Sequence, residues 1–210
     1  MSTNRRQLRG SQRINKPKGQ RQEYRKILIV AEGEKTEPQY FEKFAALLKA
    51  KAVRVVRVDP IGLGKDPLTV VLDAEKRRNK ERRAGDAFDQ VWCVVDVDEH
   101  ASLERACIEA RRLGIEIAVS SPCFEIWLLW HFQERTAWVD AATLARELKN
   151  RGFSGKNMPA DFPYTNYAAA IDRANKCEKV RIKHAPPNPS SSVASLISVL
   201  VQAYTEPGKT

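Results

Sequence analysis

Apolar residues along this chain fall first into short runs and then into helical spacing. Ile27-Leu28-Ile29-Val30, Val91 to Val95 and Ile115 to Ser120 are brief, β-branched and almost free of charge, as expected of strands covered on both faces in a parallel sheet. Val53 to Val58 reads as a further strand. Between these runs the spacing becomes helical. Tyr40, Phe41, Phe44, Leu47 and Leu48 line one face of a helix opening at Thr36-Glu37-Pro38, with Thr36 as N-cap and Pro38 in the first turn. A second helix runs from Pro67 to about Arg83, its charged half from Lys76 onward facing solvent. A third spans about Ser102 to Leu113 and is closed by Gly114. Strands alternating with helices predict an α/β fold: a right-handed, doubly wound, mainly parallel four-stranded sheet.

From Phe124 onward the pattern is helical, over Phe124 to Phe132, Ala141 to Asn150, Tyr167 to Arg181 and Ser191 to Tyr204. Gly152 to Pro163 and Pro186-Pro187-Asn188-Pro189 read as loops, as does Gly62-Leu63-Gly64. The length suits one domain. It divides into a basic arm over residues 1–24 and a domain over 25–205, made of an α/β core (25–122) and a mostly helical C-terminal extension (123–205). The arm lacks apolar periodicity and is expected to be flexible.

Charge sharpens that division. The chain carries a formal charge of +10. Between Met1 and Lys26 the only acid is Glu23, against a dense set of cations that includes Arg5, Arg6, Arg9, Arg13, Lys16, Lys18 and Arg21. The remainder is close to balanced. Such an arm suits sequence-blind attraction to nucleic acid, DNA or RNA, and docking on an acidic partner is the alternative. Cys93, Cys107, Cys123 and Cys177 have no metal-type spacing, which argues against a zinc cage and a secreted disulfide framework. No apolar stretch approaches the ~20 residues a membrane helix needs. A cytoplasmic protein without membrane association is expected.

The candidate chemistry lies at the strand ends. In open α/β sheets ligands bind beyond the carboxyl ends of the strands, and Glu32 follows the first strand while Asp96 and Asp98 close the third. Alternation along an extended segment points Asp96 and Asp98 the same way. Two unit charges about 4 Å apart repel by roughly 4 kcal/mol at an effective dielectric near 20. A hard divalent cation removes that cost, and Mg²⁺, with Mn²⁺ as substitute, suits carboxylates supplemented by water and phosphate oxygens. Solvated strand-end acids are the plain alternative. Secondary candidates are Glu125, in an otherwise apolar segment; His100, beside the acidic pair, as acid/base or as an exposed helix-start residue; and Lys35, as a phosphate contact or a solvated lysine. His131 reads as a hydrogen-bonded core histidine.

At these residues the sequence resembles the RloB-like (AbiLii-like) family. The opening segment Ile27-Leu28-Ile29-Val30-Ala31-Glu32-Gly33-Glu34-Lys35-Thr36-Glu37-Pro38-Gln39-Tyr40-Phe41 carries the resemblance, with Val95-Asp96-Val97-Asp98-Glu99-His100, Ser121-Pro122-Cys123-Phe124-Glu125-Ile126-Trp127 and Asn188-Pro189-Ser190-Ser191-Ser192-Val193 following in order. The resemblance implies a compact relative of the TOPRIM fold, with Glu32, Asp96 and Asp98 as catalytic Mg²⁺ ligands and Glu37 as a further acid at altered spacing. It implies a nuclease-like effector of prokaryotic anti-phage defence, of the abortive-infection kind, working beside an AAA-type or ABC-type ATPase. This chain has no Walker A motif of its own, so the ATPase would be another chain. A non-catalytic subunit that senses nucleic acid or binds the ATPase is the rival reading.

Overall fold

The computed structural model describes residues 25–50, 52–57, 66–97, 102–178 and 187–205. The basic arm, the Gly62-Leu63-Gly64 loop, Asp98 and His100 lie outside the described residues.

The strands are β1 (Ile27–Ala31), β2 (Val53–Arg57), β3 (Gln90–Asp96), β4 (Glu116–Ser121) and β5 (Ser190–Ser191). The helices are α1 (Thr36–Leu47), α2 (Pro67–Arg83), α3 (Leu103–Leu113), α4 (Glu125–Leu129), α5 (Ala141–Lys149), α6 (Tyr167–Glu178) and α7 (Val193–Thr205). One sheet holds all five strands in the order β2-β1-β3-β4-β5. The first four pair in parallel and β5 runs antiparallel to β4. No helix among the described residues is long and apolar enough to cross a membrane.

The expected four strands are therefore five. Ser190 and Ser191, anticipated at a loop-to-helix junction, pair with Ser121 and Ser120. Side chains reinforce this short ladder: Ser120 and Ser191 share a hydroxyl hydrogen bond of 2.9 Å, and Ser192 Oγ accepts from the N–H of Val119 at 2.8 Å. A two-residue polar strand has no apolar alternation to betray it. The mostly helical C-terminal half therefore also completes the sheet.

Two cores follow from the alternation of the central strands. Ile27, Ile29, Ala31, Trp92 and Val94 face a layer built from α1, α4, α6 and α7, with Tyr40, Phe41, Phe44, Trp127 and Leu196 fully buried. Leu28, Val30, Val91, Cys93 and Val95 face α2 and α3 across Val70, Val71, Ala74, Ala106 and Ala110. Every residue of β1 is buried, which is why its run is uninterruptedly apolar. Helices on both faces make the sheet doubly wound, as the alternation predicted.

Two local expectations shift. Thr36 is the first residue of α1 instead of its cap; Lys35 holds the cap position, and the Thr36 hydroxyl donates to the carbonyl of Lys156 at 3.2 Å. The helix expected over Phe124 to Phe132 is regular only across Glu125–Leu129. It then unwinds into turns, where His131 N–H donates to Leu128 O and Phe132 N–H to Leu129 O. Gly114 closes α3 in the left-handed conformation, φ 62°, where a side chain would be strained.

Candidate functional site

The chain leaves β1 toward β2 on one side and leaves β3 toward β4 on the other, so the winding reverses between β1 and β3. Crevices form beyond the strand ends at such a switch point. Glu32 and Asp96 stand on either side of it. The N–H of Glu32 still belongs to the ladder, donating to Val94 O at 3.0 Å. Its carboxylate bends across, and Oε2 accepts the backbone N–H of Asp96 at 3.2 Å.

Two helices bring further acids to the same place. Glu37, in the first turn of α1, is only 8% exposed. Its carboxylate lies over Gly33: a Cβ built there would fall 1.8 to 2.1 Å from the carboxylate atoms. Glycine thus clears the space that Glu37 occupies. Glu125 begins α4, immediately after the Phe124 N–H that faces the Asp96 carboxylate. Acids in first turns are favoured by the positive end of the helix dipole.

These carboxyl groups feel one another's charge. Burial, then the charges of Glu37, Glu125 and Glu32, push the Asp96 carboxyl well above the usual carboxylate range, with the Phe124 N–H opposing them. Glu37 is pushed up to about 7, first by burial; its own backbone N–H opposes this, Glu125 and Glu32 add to it, and Lys156 counters it. Asp96 Oδ1 is sealed from solvent with no hydrogen-bond partner. A buried carboxylate oxygen without a donor is costly. Asp96 and Glu37, buried among neighbouring carboxylates, cannot both ionise cheaply unless a proton or a cation offsets the charge.

Glu32, Glu37, Asp96 and Glu125 are thus brought together, whereas Lys35 is exposed at the cap of α1 and lines a separate cleft with Glu34, Gln39, Glu42 and Arg77. His131 lies in the core: Nδ1 faces Trp127 O at 3.0 Å and Nε2 faces Tyr40 Oη at 3.2 Å. The carbonyl requires the proton on Nδ1, so the Tyr40 hydroxyl donates to Nε2. Among the described residues, no group of three or more His, Cys, Asp or Glu side chains is arranged so that it could hold a metal ion.

Two neighbours carry little signal in the sequence pattern. The Cys123 thiol sits against Glu125, and burial, then the Glu125 and Asp96 charges, hold it protonated. Its place two residues before Glu125 was the available hint. Lys156 arrives on the turn bridged by Ser154 and Asn157, and only tertiary folding brings it to α1.

A scan of protein families matches residues 27–200 to the RloB-like protein. The chain belongs to the RloB-like family. Comparisons with curated proteins and with solved structures find no match. The RloB-like match begins at the first residue of β1 and ends inside α7, so it spans all four acids, the late strand β5 and both helical layers.

Proposed function

We propose that this RloB-like protein is a Mg²⁺-dependent nuclease-like effector that hydrolyses phosphodiester bonds of nucleic acid. The observation that carries the reading is the convergence of Glu32, Glu37, Asp96 and Glu125 at the switch point, with Asp96 Oδ1 buried and unpartnered. Carboxylate oxygens are the donor type that a hard cation takes. Glu32 and Asp96 would hold it, with Asp98 joining from outside the described residues. Mg²⁺ commonly takes one or two carboxylates and fills its remaining positions with water and substrate phosphate, so it does not require a complete protein cage.

When bound, the ion would neutralise charge on the phosphoryl oxygens and lower the pKa of an attacking water. The chain's own residues supply the rest. Glu32 is oriented by the Asp96 amide, Asp96 faces the Phe124 amide, and Glu37 is buried over Gly33, where it adds negative charge and can retain a proton near neutral pH. The basic arm would hold the polyanion close by. From the family resemblance come the finer parts of the proposal: a TOPRIM relationship, a cytoplasmic role in anti-phage defence, and an AAA-type or ABC-type ATPase as a separate partner chain.

The rival, a non-catalytic subunit that binds nucleic acid or the ATPase, is favoured by one observation, the lack of a three-ligand cluster among the described residues. Calorimetric titration with Mg²⁺ and Mn²⁺ separates the two. The natural protein should bind the ion, Asp96→Asn and Glu32→Gln should lose it while keeping their melting transitions, and cleavage of mixed DNA and tRNA should vanish with it. An absence of ion binding even with nucleic acid present would leave the non-catalytic subunit as the better account.

A further inference from the structure

Beside the acids opens a cleft of ≈ 640 Å³, lined among others by Thr36, Glu125, Arg146, Lys149, Phe153 and Ser154. Its walls differ in charge. Glu125 belongs to the acidic site and Thr36 precedes Glu37 in α1, while Arg146 and Lys149 stand three residues apart on the last turn of α5 and so share one helix face. Neither cation forms an ion pair with Glu125: among the described residues the Arg146 side chain reaches the Thr143 hydroxyl and the field of Asp140 at the cap of its own helix, and Lys149 is exposed. Leu148 and Phe153, both almost fully buried, form an apolar floor. The turn over Ser154 to Asn157 closes the far side, held to α1 by the Thr36 hydroxyl on Lys156 O and by Gln39 Oε1 on Met158 N–H.

We infer that this cleft seats one nucleotide of a single-stranded nucleic acid, with Arg146 and Lys149 holding a phosphate of the strand and Leu148 and Phe153 meeting its sugar or base. The volume falls within the range of single-ligand pockets, room for one nucleotide of an extended strand and too little for paired strands. Arginine and lysine with an apolar floor are the elements of single-strand grooves. Because the cleft opens beside Glu125, a strand seated there passes the acidic crevice. This deepens the nuclease reading and rests on it for its direction toward the acids, while strand binding itself needs no metal.

The test is fluorescence-anisotropy binding of a short labelled oligothymidylate to the full chain in EDTA across a salt series. It uses Arg146→Gln/Lys149→Gln and, as a charge-matched control on the opposite layer, Lys80→Gln/Arg83→Gln. All four positions are exposed, and melting curves check the folds. The cleft pair is expected to lose affinity about tenfold and to flatten the log–log salt slope by roughly 1.4, two contacts at about 0.7 each for single strands. The control pair should stay within about twofold. Equal losses in both pairs, or no loss in the cleft pair, overturn the inference. Mg²⁺ calorimetry on the same samples keeps the two readings apart. If the natural protein binds no Mg²⁺ while the cleft pair alone loses the strand, hydrolysis fails and the cleft stands. If Mg²⁺ binds and the cleft pair holds the strand normally, the cleft fails and hydrolysis stands.

Discussion

Gly33 shows what a single missing side chain accomplishes. The atoms its Cβ would meet first are the carboxylate tip of Glu37, so the collision is relieved by moving one flexible side chain. Gly33→Ala is expected to keep its melting temperature within a few degrees, a change under about 1 kcal/mol, yet lose Mg²⁺ affinity by roughly fivefold to tenfold, the order expected for moving one carboxylate away. Glu37→Gln should reproduce that loss in the same titration. His131 provides a pH signature remote from the acids. Burial holds it down at about 4, with the Trp127 carbonyl pulling upward and Arg173 downward, against about 6.5 when unfolded. Between these values the unfolded chain takes up a proton that the folded chain refuses. Stability from this group is therefore complete above about pH 6.5 and is lost as pH falls toward 4, by about 3 kcal/mol in all. Urea unfolding at a series of pH values should show this slope, and His131→Gln should flatten it at lower overall stability.

At the level of elements, residues with strong local patterning were legible from the sequence. The apolar run of β1, the strand Val91 to Val95 and the Gly114 stop each carry a local physical cause, and each appears within a residue or so of its expected place. Ser190–Ser191 escaped because its pairing depends on hydroxyls and on a strand some seventy residues earlier. Thr36 departs from the expected cap for a related reason: its hydroxyl is claimed by the carbonyl of Lys156, a contact invisible to any local window. Of the acids, Glu32 and Asp96 were readable as strand ends, whereas the approach of Glu37 and Glu125 depended on how two helices dock. The helical half is expected to behave as part of one cooperative core. Leu196→Ala, at a fully buried position of α7, should cost about 2–5 kcal/mol and shift near-UV and far-UV transitions together. Ser195→Ala, exposed on the same helix, should stay within about 0.5 kcal/mol.

The whole molecule divides its charge between a nearly balanced body and a strongly basic first segment. If about six of those cations meet duplex phosphates, log affinity should fall with log salt at a slope near −5. Removing residues 1–24 should flatten most of that slope while leaving the Mg²⁺ isotherm unchanged, because the four acids all lie in the domain. Retention of the full slope after removal would reassign the attraction to the body.

The placement of β5 also imposes an order of events. Its serines complete the sheet beside β4, the next helix buries Val193, Leu196, Ile197 and Leu200 in the same core as β1, and the Tyr204 hydroxyl donates to the carbonyl of Arg25 at the threshold of that strand. During synthesis the earlier strands and helices must wait, partly uncovered, until β5 and α7, which follow β1 by more than a hundred and fifty residues, have left the ribosome. A nascent chain is thus barred from assembling the mature core early, and any activity that depends on that core is withheld until β5 and α7 have been made.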